Sequence, residues 1–344
     1  MKLCSVTNYN NKGYINELLI CNKLSSTLGI NNEDSFTFKD LNSVYHINKN
    51  YTHILIYFDY KVTSIQGYSE FLKDVTIPKI FIVDTIPHKH KEINKYFVDT
   101  FLKNGVYSFT SLSQNLQETL YKKYADGIVL FSDLDKQLFN QFYNIPDIIP
   151  KVVIPPPLGK EKDLKINFDN FSPNNLVGYN GVPSYTNGFQ LIGQTLSQSI
   201  QYNLDVFGTH GREDLNTEQL FNSLLSELPN LHFKGRLKNV ENFYKYYHIY
   251  LNVSLYDSFD YFTYKSLLNG MVPLLSKNTG TSSFLKSYPF ISTPDLDSVK
   301  YTLELISKTP PEYLKEILSN TLKDIKQLSD EECLNKYQIF LNSI

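Results

Sequence analysis

Three strand-length runs, His53–Phe58 (HILIYF), Lys79–Val83 (KIFIV) and Gly127–Phe131 (GIVLF), constrain the fold of this chain most. Each is almost unbroken apolar sequence. A strand that is apolar on both faces must be covered on both faces, as in a parallel sheet flanked by helices. Helical patterns follow several such runs. Lys2–Thr7 reads as a first strand and Asn10–Gly13 as a polar turn. Tyr14–Leu28 then has apolar residues at helical spacing, and Gly29 is a natural stop. After Gly127–Phe131, Ser132 is the expected N-cap of a helix reaching about Tyr143. Lys151–Ile154 is a further short strand.

The pattern breaks at Pro155-Pro156-Pro157 and the irregular stretch Gly159–Asn175. Three prolines continue neither a helix nor a sheet. Alternation then restarts. Strands are expected at Leu176–Tyr179, Asn203–Phe207, Leu231–Phe233, Ile249–Val253 and Val272–Leu275. Helices are expected at Gly188–Ser199, Glu218–Leu228, Val240–Tyr246 and Phe262–Leu268, and Pro310–Ile344 reads as two more. Strand–helix alternation implies βαβ units with right-handed crossovers. The expected organisation is an α/β domain over 1–157, a second over 158–309, and helices over 310–344 that cross back to the first domain. A length of 344 residues agrees with two domains at ~100–200 residues each. Two such domains place a cleft at the carboxyl ends of two sheets, where open α/β folds take ligands.

Composition narrows the function. With 42% hydrophobic residues, 23 Phe and 26 Tyr, the chain has enough apolar surface to order itself. It carries 33 basic and 35 acidic residues, so it lacks the positive excess of a nonspecific nucleic-acid binder. Cys4, Cys21 and Cys333 are odd in number and widely spaced, which fits a reducing compartment better than a disulfide or zinc framework. The opening MKLCSVTNYNNKG has no apolar leader core, and no window of 18 apolar residues occurs, so a cytoplasmic location is expected. Only two of the basic residues are Arg, a bias that points to an AT-rich genome such as that of a virus, a phage or a low-GC microbe.

Motifs in the second half carry a resemblance. Val253–Gly280 reads VSLYDSFDYFTYKSLLNGMVPLLSKNTG. It resembles a strand ending in Ser, then E-G-F-G, a second Glu eight residues after the first, and A-x-x-x-G-x-P-V-I. Ala125–Val129 with Ser132, Val153–Pro157, Leu204–Gly208 and Phe233–Arg236 resemble further motifs in the same order. The set is similar to the donor-binding half of GT-B glycosyltransferases, specifically the retaining group called glycosyltransferase family 4. The resemblance implies two Rossmann-like domains with parallel sheets facing a central cleft. Asp257 takes the first Glu position, Phe259 the Phe, and Gly270 and Pro273 the G-x-P. Four positions depart from the pattern. In the loop Gly181–Gly188 the glycine spacing is kept, but Val182 stands where the family has the diphosphate-binding Arg, and Asn187 where it has the Lys. The second Glu, which binds the ribose in the family, falls on Lys265, and the second Gly of E-G-F-G is Asp260.

A leaving diphosphate needs cations, helix N-termini or backbone N–H groups aimed at it. The candidates for holding the donor are Gly13, Gly181, Asn187, Gly188, Gly208, His210, Arg212, Arg236, Asp260, Tyr264, Lys265, Thr279, Gly280 and Thr281. Lys265, Arg236, Arg212 and Lys277 are the cations that can replace the missing pair, alongside backbone N–H groups near Thr279–Ser282. Asp257 either orients sugar hydroxyls or caps a turn. Asp260 either meets the donor or caps the helix near Phe262, and Tyr264 either stacks on a base or packs in the core. Asp84 and His88 follow the KIFIV strand and are candidate bases toward an acceptor hydroxyl, against the plain reading of a surface turn. No metal site is expected, because no Asp-x-Asp sits at a strand end and His88 and His90 lack a third ligand.

The resemblance implies a retaining transfer of a hexose from a nucleoside diphosphate sugar, by default UDP-glucose, to an acceptor hydroxyl, with no further cofactor. A glycan, a protein, a lipid-linked sugar and a modified DNA base, as for a phage enzyme, are all open as acceptor. A non-catalytic relative that binds nucleotide, glycan or protein is the alternative that the substituted positions raise.

Overall fold

The computed structural model describes residues 1–7, 22–38, 43–57, 66–83, 106–169, 171–174, 176–181, 187–199, 201–208 and 228–344. The chain divides into two compact units, one of Met1–Gly159 with Leu328–Ile344, the other of Lys160–Gln327.

The first unit holds β1 (Leu3–Thr7), β2 (Ser35–Thr37), α1 (Ser43–Asn50), β3 (His53–Tyr57), α2 (Gln66–Asp74), β4 (Lys79–Val83), α3 (Val106–Tyr124), β5 (Gly127–Leu130), α4 (Asp133–Phe142) and β6 (Lys151–Val153). Its six strands are all parallel, in the order β2-β1-β3-β4-β5-β6. The apolar runs that read as doubly covered strands are β3, β4 and β5. Ile54, Leu55, Ile56, Ile80, Ile128, Val129 and Leu130 have no exposed surface. Ser132 caps α4 by accepting the Asp135 N–H at 3.1 Å.

The second unit holds β7 (Leu176–Asn180), α5 (Phe189–Ser197), β8 (Asn203–Phe207), β9 (Leu231–Gly235), α6 (Val240–Tyr246), β10 (Ile249–Asn252), α7 (Tyr261–Leu268), β11 (Val272–Ser276), β12 (Ile291–Ser292), α8 (Leu296–Lys308) and α9 (Pro311–Lys326). Its sheet runs β12-β11-β10-β7-β8-β9, again all parallel. The last helix, α10 (Asp330–Asn342), belongs to the first unit. There its neighbours include Gly127, where an added Cβ would run into the side chains of Phe340 and Ile344. Each unit is therefore a Rossmann-like α/β layer structure, the fold class expected from the alternation. The expected helix Glu218–Leu228 lies outside the described residues, as does most of Tyr14–Leu28. Among the described residues, no helix is long and apolar enough to cross a membrane.

In the second sheet the strand order reverses between β7 and β10. These two strands pair over only two positions, Ile249 with Val177 and Tyr250 with Gly178. By contrast, β7 and β8 pair over five. Gly178 is required at this point because a side chain there would enter the Phe243 ring. A cluster of Phe243, Tyr244, Tyr250 and Met271 packs beneath, flanked by Phe207, Tyr247 and Phe262. The tract Phe243–Tyr250, which reads mainly as core in the sequence, contributes buried Phe243, Tyr244 and Tyr250, while Tyr246 is exposed.

Helix α5 begins from Gly188 at φ 72°, a conformation that L side chains rarely adopt. A Cβ at Gly188 would also overlap the carbonyl oxygen of Val253, so the helix start is pressed onto the end of β10. Gly235 has the same φ of 72° but no atom within 4 Å of a would-be Cβ. Gly235→Ala is expected to cost about 1–2 kcal/mol from strain alone. Gly188→Ala adds overlap, for a total of about 2–5 kcal/mol. Denaturant unfolding of the two variants measures the difference.

His248 precedes β10, is 5% exposed, and packs edge-on to Phe171 at 5.1 Å between ring centroids. Its Nδ1 is buried and has no hydrogen-bond partner among the described residues. Burial pulls the imidazole down to about 4. The neutral ring is favoured in the fold, so this contribution is complete above about pH 6.5 and is lost as pH falls through about 4. The loss is at most ~3 kcal/mol. Replacing His248 with Phe is expected to flatten stability between those pH values, which urea unfolding at a series of pH values measures.

Candidate functional site

The reversal of strand order makes the carboxyl ends of β7 and β10 the natural ligand edge of the second unit. Because the two strands stop pairing after Tyr250 and Gly178, they separate toward that edge. Tyr179 on β7 and Tyr250 on β10 are both buried at 3% exposure. The Asn187 side chain hydrogen-bonds the Tyr179 hydroxyl, and burial raises that hydroxyl well above its usual range. Asn187 is thus tied to the loop's own strand. Gly181 and Gly208 extend the ladder at the same edge: Gly181 N–H donates to the Phe207 carbonyl at 2.9 Å and Gly208 N–H to the Gly235 carbonyl at 3.0 Å.

The segment Val253–Asp260, between β10 and α7, carries Asp257. It pairs with the segment after β11 through a parallel bridge between Asp257 and Thr279. Asp257 N–H donates to the Asn278 carbonyl at 3.2 Å, and Gly280 N–H donates to the Asp257 carbonyl at 2.7 Å. Asn278 Nδ2 adds a bond to the Leu255 carbonyl at 3.1 Å. The Asp257 side chain is half-buried, and its Oδ1 accepts the Phe259 N–H at 3.2 Å. This is a turn that presents a carboxylate at the strand edge. The bond from the Phe259 N–H is the turn-capping reading of Asp257.

Asp260 is the N-cap of α7, accepting the Phe262 N–H at 2.9 Å. At 8% exposure it is buried, so the capping reading describes it and direct contact with a ligand does not. Tyr264 has no exposed surface, stacks on Phe259 at 5.2 Å and 27°, and donates to the Thr281 carbonyl at 3.3 Å. A ring enclosed in this way has no face for a nucleobase; it packs in the core. Lys265 is half-exposed on α7, with its ammonium 5.7 Å from the centre of the Tyr261 ring. Arg236 is exposed and follows β9, two strands from the reversal.

The stretch Thr279–Ser282 differs from its sequence reading as a bank of free donors. Thr279 N–H goes to the Ser276 carbonyl, Gly280 N–H to Asp257, and Ser282 N–H to Thr279. The Thr279 hydroxyl donates to the Ser276 carbonyl at 2.8 Å, and that of Thr281 to Thr279 Oγ1 at 3.0 Å. Both side chains are wholly buried. Thr279, Gly280 and Thr281 therefore brace Asp257 rather than reach outward. Asn252 and Asn278 are parts of this edge that sequence reasoning missed. Their signal was a polar residue at the end of one apolar strand and two residues past the end of another.

Gly13, Asp84, His88, His210 and Arg212 lie outside the described residues, and so does Val182. Among the described residues, no group of three or more His, Cys, Asp or Glu side chains is placed to hold a metal ion.

No family model matches the chain, and no curated protein sequence matches it. Solved structures do match. One is HepE from Anabaena in complex with UDP-glucose, at 12% identity and TM-score 0.74, covering all of both chains. Another is sucrose-phosphate synthase from Thermosynechococcus elongatus, at 11% identity and TM-score 0.75, covering 99% of this chain and 98% of that one. A third is an α,α-trehalose-phosphate synthase from Burkholderia xenovorans in complex with glucose-6-phosphate, at 10% identity and TM-score 0.66, covering 99% and 100%. At such identities the likeness is one of fold, and it spans the full length: the chain has the two-unit α/β architecture called GT-B.

Proposed function

We propose that this chain is a glycosyltransferase that moves a hexose from a nucleoside diphosphate sugar, by default UDP-glucose, to an acceptor hydroxyl with retention. The observation that carries this reading is the placement of Asp257. A half-buried carboxylate stands in a braced turn at the strand-order reversal of a nucleotide-binding type of sheet. The full-length likeness to HepE, whose structure holds UDP-glucose, supports the choice of donor.

In this reading the bond between the anomeric carbon and the diphosphate oxygen breaks, and its electron pair leaves with the diphosphate. The acceptor oxygen bonds to the same face of that carbon and gives up its proton. Asp257 binds sugar hydroxyls and holds the ring in place. Lys265 and Arg236 are the described cations proposed to face the phosphates, and Asp84 or His88 the groups that take the acceptor proton. The reaction runs without a metal and in the cytoplasm.

One observation favours a second reading, a non-catalytic nucleotide, glycan or protein binder. The N–H groups of Thr279, Gly280 and Ser282 are already bonded within the chain, which removes three donors from the leaving group. A thermal-shift and hydrolysis screen with UDP-, GDP-, ADP- and TDP-sugars separates the two. Turnover of one donor is the expected result; neither shift nor turnover with any of them points to the binder. Asp257→Ala is expected to lower kcat/KM about 10–100-fold, the worth of one charged hydrogen bond to a sugar hydroxyl. Lys265→Ala is expected to lower it by a comparable factor. Turnover unchanged in Asp257→Ala would remove Asp257 from the site.

A further inference from the structure

Asp260 makes more hydrogen bonds than a helix cap requires. One oxygen, Oδ1, serves the Phe262 N–H, which is the cap itself. The other, Oδ2, accepts three more donors: Asn252 Nδ2 at 2.6 Å, the Thr263 hydroxyl at 2.5 Å and the Tyr250 hydroxyl at 3.2 Å. Tyr250 and Asn252 belong to β10, and Thr263 to α7. The carboxylate is buried, and no ion pair reaches it among the described residues. A buried carboxylate without a cation persists only where donors surround it.

The bonds continue beyond Asp260. Asn252 Oδ1 accepts the Ser254 N–H at 3.1 Å, so one amide links the first turn of the loop to the anion at its far end. The loop Val253–Asp260 is thereby closed on itself through Asn252. Its outer side is fixed separately by Asn278 and Gly280. Asp257 lies between these two sets of bonds.

We propose that Asp260 is a positioning residue: by joining β10 to the start of α7 through four donors, it sets the loop so that the Asp257 carboxylate meets the donor sugar in a single orientation. The proposal rests on the reading of Asp257 as a sugar ligand. A cap alone would set helix stability and leave sugar recognition unchanged.

The test compares UDP and UDP-glucose binding by calorimetry in the full chain. In Asp260→Asn an amide N–H2 must face donors, so the loop loses its anchor. The preference for UDP-glucose over UDP is expected to fall about tenfold or more, while UDP affinity changes little. The exchanged pair Asn252→Asp with Asp260→Asn is expected to recover much of that preference. Asn230→Ala is the control. Asn230 is buried away from this edge and donates to the Leu196 and Tyr202 carbonyls. It is expected to lower Tm without altering the preference. If Asp260→Asn lowers Tm and leaves the preference as in wild type, Asp260 is a cap only and the proposal is overturned. Should Asp260→Asn not fold, Thr263→Val removes a single donor and reads the same preference with a smaller change.

Wild type that binds neither UDP nor UDP-glucose would defeat the donor reading instead. Deuterium exchange then decides the anchoring itself. Acceleration in Asp260→Asn confined to 253–259 supports it, and acceleration spread over the whole unit overturns it.

Discussion

The short pairing of β7 with β10 is the constraint on which the rest of the second unit depends. Two residue positions join the halves of the sheet, and they do so only because Gly178 leaves room for the Phe243 ring. Beyond them the pairing stops, and Tyr179 and Tyr250 carry buried hydroxyls. Those hydroxyls are bonded, and their partners, Asn187 and Asp260, stand where the loops of the ligand edge pass into helices α5 and α7. Aromatic packing and polar organisation meet in Tyr250, which packs with Phe243 and bonds Asp260.

The polar groups are organised as braces more than as contacts. Thr279 and Gly280 use their donors on neighbouring backbone, the Thr281 hydroxyl donates to that of Thr279, and Asp260 uses both oxygens on β10 and α7. A buried carboxylate costs several kcal/mol unless donors repay its lost hydration. Four donors do so here, three of them side chains on two different elements. The arrangement concentrates what faces outward onto few groups, chiefly Asp257 with Lys265 and the glycine-started helix α5.

Much of the architecture was legible in the sequence. KIFIV became β4 over the same residues, and Asn203–Phe207 and Val240–Tyr246 became β8 and α6 without change. Strong apolar continuity and clear caps set these elements locally. Others left little trace. Ser35–Thr37 is a strand of three residues, too short to show a period, and it exists because β1 offers it an edge. Helices α1, α2, α3 and α8 were not singled out. All four mix apolar with polar residues, so tertiary packing decides their state. At the candidate site, the sequence left Asp257, Asp260 and Tyr264 between two readings each. Only the burial of Asp260 and Tyr264 separates those readings, and burial is not a local property. Asn252 and Asn278 went unread because a single Asn at a strand end is ordinary until its partner is known.

The division of the chain has a consequence for biosynthesis. Leu328–Ile344 completes the first unit: Leu158 N–H donates to the Leu328 carbonyl at 3.1 Å, Asp330 N–H to that of Gly159 at 2.7 Å, and Lys23 pairs with Asp330 at 3.3 Å. The second unit is contiguous and has all of its strands before residue 328 is made. Nascent chains commonly mature from the front backward. Here the segment that covers Gly127 is made after the whole of the second unit, so the first unit cannot be complete before the second has been translated.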